Sequence, residues 1–300
     1  MRRARPAQIR SEEERDMGAK TEQGSRIRVI VAGAAGRMGR QVVAAVSREP
    51  DMALVGGVDV REQRVPVDPE RGDEAIEVKG DLAAVVAEAR PDVMVDFTHP
   101  SAVMGNVRTA LGEGVRCVVG TTGLGARDIE EIGRLCREKG IGAVVAPNFA
   151  IGAVLMMKFA EIASRYFSAA EIIELHHDRK ADAPSGTAIK TAQGMSQAEP
   201  ARAEAAATAS APAAATATTA AGGEDPVARG QSVAGIRVHS VRLPGLVAHQ
   251  EVLFGGPGQV LTIRHDSISR ESFMPGVILA VRKVTGLGRA VFGLEHLLDI

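Results

Sequence analysis

A chain of 300 residues has room for about two domains. Its 45% hydrophobic content can bury a core, which must be aliphatic because aromatics make up 3% and Trp is absent. The formal net charge is -1, and one Tyr and seven Phe give no stacking platform, so a general nucleic-acid or membrane-surface binder is excluded.

Residues 1–26 mix charges of both signs, from Arg2, Arg3 and Arg5 to Glu12, Glu13, Glu14, Arg15 and Asp16. They lack the apolar centre of a secretory signal, and a disordered extension is expected. The run from Arg26 to Ala32 is rich in β-branched residues and predicts a strand. It leads into Gly33-Ala34-Ala35-Gly36-Arg37-Met38-Gly39 and a helix from about Arg40 to Ser47. A glycine turn between strand and helix is the setting of a dinucleotide site. Gly33 allows the tight turn, Gly36 a close approach to pyrophosphate at the helix N-terminus, and Gly39 close packing of helix on strand. The spacing is G-x-x-G-x-x-G rather than the commoner G-x-G-x-x-G, so the turn alone is only moderately specific. A second strand, Ala53 to Val58, ends at Asp59, twenty positions past Gly39. There such a fold places the carboxylate for the adenosine ribose; an ordinary strand-end turn is the competing reading. Arg61 and Arg64 follow, within reach of a 2′-phosphate.

The alternation continues. Helices are predicted over 82–89, 101–111 and 127–139, and strands over 92–97, 115–119 and 141–145. Repeated strand–helix units imply a doubly wound parallel sheet, with ligands beyond the carboxyl ends of its strands. Those ends include Phe97-Thr98-His99, Gly120-Thr121-Thr122-Gly123 and Ala146-Pro147-Asn148-Phe149. His99 reads as a solvated loop histidine. The uncharged run from Gly140 to Met157 is interrupted by Pro147-Asn148 and by glycines, so it reads as strand, loop and helix rather than a membrane span. Cys117 and Cys136 lack metal-ligand spacing and read as free thiols of a reducing compartment, here the cytoplasm.

After Phe149 the pattern changes. A long apolar helix is predicted over 150–166, then a buried strand from Ala170 that ends in Glu174-Leu175-His176-His177-Asp178-Arg179-Lys180. Alternation puts His176 on the face of Ile172 and Glu174, and His177 on that of Ile173 and Leu175. Ser185-Gly186-Thr187 starts a helix that runs to about Met195. Ser185 can cap it, and the free amides attract anions. Two imidazoles, a lysine and a helix start form a site for a small, multiply negative molecule and supply a proton donor. A solvated basic loop after a core strand is the competing reading. Residues 198–223 are an Ala/Thr-rich, low-complexity loop without core-forming side chains. Strands over 233–242, 247–254 and 259–265, joined by short glycine turns, read as a meander, hence a second, α+β domain with an open mixed sheet. A flat open sheet with one helical layer leaves a face for self-association. A helix over 271–284 and a short tail close the chain.

These motifs resemble the 4-hydroxy-tetrahydrodipicolinate reductase family of lysine and diaminopimelate synthesis. The resemblance runs from about Ile27 to Ile300. It is carried by the glycine turn, Asp96-Phe97-Thr98, Gly120 to Gly123, Ala146 to Phe149, His239 to Gly245, and above all Glu174 to Ala188. It implies hydride transfer from NADH or NADPH to a cyclic dicarboxylate, with loss of water. His176 matches the proton donor and acceptor, and Lys180 the second proton donor. His177, Ser185, Gly186 and Thr187 match the substrate-binding groups. Gly33, Ala34, Ala35, Gly36, Arg37, Met38, Asp59, Gly120, Thr121, Thr122, Ala146, Pro147, Asn148 and Phe149 match the cofactor segments. The resemblance also implies a homotetramer built through the second sheet, no metal, no nucleic acid and no membrane. It divides the chain into 27–149 with 274–300 for the dinucleotide and 150–273 for substrate and assembly. Val60 stands where many members have a basic residue, which leans toward NADH or dual use. Rival readings are another two-domain nicotinamide dehydrogenase and a non-catalytic dinucleotide sensor. An acylating semialdehyde enzyme would need a nucleophilic cysteine.

Overall fold

The computed structural model of the chain describes residues 26–68, 74–198, 229–298 and 300. The first half runs β1 (Ile27–Ala32), α1 (Arg37–Arg48), β2 (Met52–Val58), β3 (Gln63–Pro66), β4 (Ala75–Lys79), α2 (Leu82–Ala89), β5 (Val93–Asp96), α3 (Pro100–Gly112), β6 (Arg116–Val119), α4 (Ala126–Lys139) and β7 (Ala143–Val145). The second half runs α5 (Ile151–Ala163), β8 (Ala169–His176), α6 (Gly186–Ala198), β9 (Gln231–Val233), β10 (Ile236–Arg242), β11 (Ala248–Gly256), β12 (Gln259–Ser267), α7 (Met274–Val284) and β13 (Ala290–Phe292). The expected extension and nearly all of the Ala/Thr-rich loop lie outside the described residues.

Eight strands form one sheet in the order β13-β7-β6-β5-β1-β2-β4-β3. Every pairing in it is parallel except β3 with β4. Alternation along β1 explains the layers. Val29 and Val31 pack with Val42, Val46, Val277 and Val281 on the face covered by α1 and α7. Ile30 and Ala32 pack with Val85, Val107 and Ile132 on the face covered by α2, α3 and α4. Both faces are buried, as a Rossmann-like doubly wound sheet requires.

Two expected boundaries need correction here, and one element was not expected. Helix α1 begins at Arg37, three residues early, because Gly36 is already extended (φ -74°, ψ 169°) and Gly39 belongs inside the first turn. The β3–β4 hairpin is unforeseen: its strands are short, β3 ends in Pro66, and only Val65 and Val78 are buried in it. The last helix opens as a 3-10 turn over Arg270–Phe273 before α7 starts, with Pro275 in its first turn, where a missing N–H costs nothing.

The second sheet holds five strands in the order β12-β11-β8-β10-β9. Helices α5 and α6 cover one face, where Met156, Ala160, Ala192 and Met195 pack on Ile172, Val238, Val252 and Phe254. The expected meander holds only for β11 and β12, which pair antiparallel across the turn at Gly256–Gln259. β8 separates β10 from β11, parallel to the first and antiparallel to the second. Residues 243–247 therefore do not close a hairpin. They arch over the end of β8, where the Leu243 amide donates to the His176 carbonyl at 3.0 Å.

Candidate active site

Gly33 has φ +81°, and a Cβ there would lie 2.4 Å from the Phe97 carbonyl oxygen. A Cβ on Gly39 would lie 1.9 Å from the Gly33 carbonyl oxygen. Both must be glycine for α1 to sit against β1 with its N-terminus bare. No side chain caps that end, and its first turn holds no acid, so the amides after Gly36 are open to an anion. Asp59 stands over the turn: its Oδ2 accepts from the Ala35 amide at 3.1 Å and its Oδ1 from the Arg61 amide at 3.2 Å. This cradle of bare amides beside a carboxylate fits a dinucleotide's pyrophosphate and ribose.

The other segments expected to meet the cofactor lie at neighbouring strand ends of the same sheet. Side chains of Ala34, Thr121, Ala146 and Phe149 are buried, while Gly36, Arg37, Thr122 and Pro147 are exposed. The buried members therefore present backbone. Their anchor is Asp96, at the end of β5. Its Oδ1 accepts from the Thr98 amide (3.1 Å), the Thr98 hydroxyl (2.8 Å) and the Thr121 hydroxyl (2.6 Å). Its Oδ2 accepts from Asn106 Nδ2 at 2.8 Å. The Asn148 side chain caps the next loop by accepting from the Ala150 amide at 2.9 Å.

On the second sheet His176 and Ser185, of the predicted residues, meet at Glu174, which is fully buried. Its Oε2 accepts from His176 Nδ1 at 2.5 Å and from Arg242 Nη1 at 2.9 Å. Its Oε1 accepts from Arg242 Nη2 at 2.8 Å and from the Ser185 amide at 3.2 Å. Burial pushes the Glu174 carboxyl up, but bonds from His176, Arg242 and Ser240 outweigh it and hold the group at about 2. Ser185 Oγ accepts from the Ala188 amide at 3.2 Å, the cap expected at the start of α6. Gly186 faces open space. His177 lies past the end of β8 and is exposed. Lys180 Nζ donates to Asp182 at 2.7 and 2.8 Å; that bond, together with the lysine's charge, outweighs burial and lowers the Asp182 carboxyl below its ordinary value. Arg242 Nη2 also donates to the Asp182 carbonyl at 2.7 Å, which ties the lysine's loop to the same cluster.

The two halves meet at a cleft of about 500 Å³. Arg37, Arg40 and Gln41 of α1 line one wall, and Val247, Ser269 and Arg270 the other. Val247 is one residue from Ala248, the register partner of His176. The histidine strand thus ends beside the glycine turn's helix. Family models described as dihydrodipicolinate reductase, N-terminus and C-terminus, match residues 27–149 and 152–298.

The chain belongs to the dihydrodipicolinate reductase family. The 4-hydroxy-tetrahydrodipicolinate reductase of Moorella thermoacetica is 52% identical over 277 residues, which cover 91% of this chain and 98% of the relative. That of Geobacillus kaustophilus is 50% identical over 276 residues, covering 91% and 99%. A solved structure, the dipicolinate-bound dihydrodipicolinate reductase of Paenisporosarcina sp. TG-14, superposes with a TM-score of 0.75 at 40% identity, covering 91% of this chain and all of that one. The family consists of NAD(P)H-dependent oxidoreductases, so a nicotinamide dinucleotide is the cofactor.

In this reductase the acylating-dehydrogenase rival has no footing. Burial raises the Cys117 thiol well above its ordinary value and the Cys136 thiol to about 11, so neither offers a thiolate. Arg242, Ser240 and Asp96 are contributors that the sequence reading did not single out for a role. Arg242 could have been found only from strand register, since it pairs with His176 across β10 and β8. A fully apolar strand ending in Asp, as at Asp96, was a signal available earlier.

Proposed function

We propose that the chain reduces 4-hydroxy-2,3,4,5-tetrahydrodipicolinate to tetrahydrodipicolinate in the route to diaminopimelate and lysine. One NAD(P)H and one proton are consumed, and NAD(P)⁺ and one water are released. The observation that carries this reading is the link from His176 through Glu174 to the start of α6, which puts a proton donor beside an anion site. A bound reduced nicotinamide supplies the hydride. The rest is done by the chain. Bare amides at Gly186 and Thr187, with His177, receive one substrate carboxylate; Lys180 turns from Asp182 to hold and protonate the reacting region. His176 Nε2 has no hydrogen-bond partner among the described residues, so it is the ring nitrogen that delivers a proton as charge arrives on the substrate.

Residues 27–149 with 274–300 form the dinucleotide unit in this reading, and 150–273 the substrate and assembly unit. Val60 is almost fully exposed beside Asp59 and brings no cation to a 2′-phosphate, which supports use of NADH or of both coenzymes. The sheet face opposite α5 and α6 carries Ile173, Val241, Leu253 and Arg264, and is the surface through which four copies assemble. Two buried free thiols fit a cytoplasmic setting; among the described residues no helix is long and apolar enough to cross a membrane.

The test couples the chain to dihydrodipicolinate synthase with aspartate semialdehyde and pyruvate, and follows NAD(P)H absorbance. Oxidation that depends on the synthase product is expected; a rate no higher than the blank overturns the reading. His176→Gln or Lys180→Met should lower kcat by ~10²-fold or more with the cofactor KM almost unchanged. Equal loss of cofactor binding would make those residues structural.

A further inference from the structure

The Glu174 carboxylate uses both oxygens twice, on His176, Arg242 and the Ser185 amide. The guanidinium opposite it is oriented by these bonds and by the Asp182 carbonyl rather than by its own needs. Its Nε is buried and has no hydrogen-bond partner among the described residues. A buried donor left unpaired is rare, and persists where the surroundings over-determine its place. The imidazole, 15% exposed, can meet Glu174 only through Nδ1, which leaves Nε2 toward the site.

We propose that Glu174 and Arg242 are positioning residues for the reaction: together they fix His176 in the tautomer that carries its proton on Nδ1, and pin the Lys180 loop at the right distance. The inference rests on the catalytic reading above. An apolar pair of similar volume would fill this space with no loss of stability. What it would not do is choose which ring nitrogen is free, a choice made by the bond at the other nitrogen. In the proton step His176 acts from its doubly protonated form. The N–H bond at Nε2 breaks and a bond from that proton to the substrate forms, while the hydride brings the electron pair. The ring is left as the Nδ1–H tautomer, which takes its next Nε2 proton from solvent. The Nδ1–H stays on the ring and Glu174 stays a carboxylate. Arg242 compensates the buried charge throughout, and through Asp182 it holds the second proton donor in the same frame.

The experiment is a double-mutant cycle with a spectroscopic arm, on the full chain. Glu174→Gln is expected to lower kcat by ~10²-fold with the cofactor KM within about twofold. Because Glu174 acts through His176, the Glu174→Gln/His176→Gln protein should be no slower than His176→Gln alone. Losses that multiply would overturn the proposal and leave the catalytic reading intact. Full activity in His176→Gln would overturn that reading first. Should Glu174→Gln fail to fold, nitrogen-15 NMR of the labelled wild type decides, at a pH where the ring is neutral. A protonated Nδ1 and bare Nε2 are expected for His176, and the opposite tautomer overturns the proposal. Arg242→Lys should retain the tautomer yet lower kcat, since one ammonium cannot serve both Glu174 oxygens and the Asp182 carbonyl.

Discussion

Asp96 and Glu174 each stand at the carboxyl end of an interior strand of their sheet, and each is fully buried. Their surroundings differ. Asp96 meets only neutral donors, from Thr98, Thr121 and Asn106. Glu174 meets a guanidinium and an imidazole, together with one backbone amide and the Ser240 side chain. Neutral donors are enough where the task is to hold backbone loops around a cofactor. On the proposed function, the partners around Glu174 are themselves the charged and proton-carrying groups that the chemistry needs. On that reading the reductase keeps its proton chemistry in the second sheet and gives the first sheet a fixed frame.

The contrast breaks most sharply at Arg242. Arg242→Met leaves Glu174 buried without its cation and should lower unfolding stability by about 3–5 kcal/mol at neutral pH. Urea denaturation followed by circular dichroism measures it; a loss below about 1 kcal/mol would show that Glu174 does not depend on the pair. The pH dependence comes next. Glu174 sits at about 2 in the fold against an ordinary 4.5. Its depressed value adds stability above pH 4.5, about 3 kcal/mol in full, and that contribution is lost as pH falls from 4.5 toward 2. Urea midpoints of the wild type and Glu174→Gln, compared at pH 6 and pH 3, should therefore differ widely at the first and converge at the second. A gap that stays constant would mean that the charge of Glu174 adds nothing.

A smaller effect is expected on the other side. Asn106→Ala removes one of four neutral donors to Asp96 and should lower stability by about 1–2 kcal/mol. Because the Thr98 and Thr121 loops hang on the same carboxylate, the cofactor KM should rise while kcat holds. A fall in kcat with KM unchanged would place Asp96 in the chemistry rather than the frame.

The first sheet was legible because its signals are local. A glycine turn between strand and helix, and repeated apolar strands ending in small or polar residues, each reveal their place within about fifteen positions. The histidine strand, the Ser185 cap and Lys180 were legible for the same reason. What escaped is what strand order decides. Glu174 and Arg242 are 68 positions apart, and they meet only because β8 lies between β10 and β11. Consecutive strands with glycine turns read as a meander, and nothing along the chain says that an earlier strand occupies the gap. The β3–β4 hairpin escaped because β3 is only four residues long and ends in Pro66, which leaves too short a pattern to read as a strand.

The smallest expected effect tests whether the two regions are independent. Val60 follows Asp59, the acid proposed for the ribose, and projects into solvent beside Arg61, whose amide already serves Asp59. Val60→Arg adds a guanidinium where a 2′-phosphate would lie, and one charge-assisted hydrogen bond there corresponds to roughly a tenfold gain in kcat/KM for NADPH relative to NADH. The change should sit in the NADPH KM. Nothing about it reaches Glu174, His176 or the start of α6, so the KM for the dicarboxylate should stay the same. Steady-state kinetics with both coenzymes at varied dicarboxylate concentration separates the outcomes. An unchanged coenzyme ratio would show that Val60 does not face the phosphate position. A shifted dicarboxylate KM would show that a charge at the ribose end is felt across the cleft, and the division between a fixed frame and a proton-handling sheet would then fail.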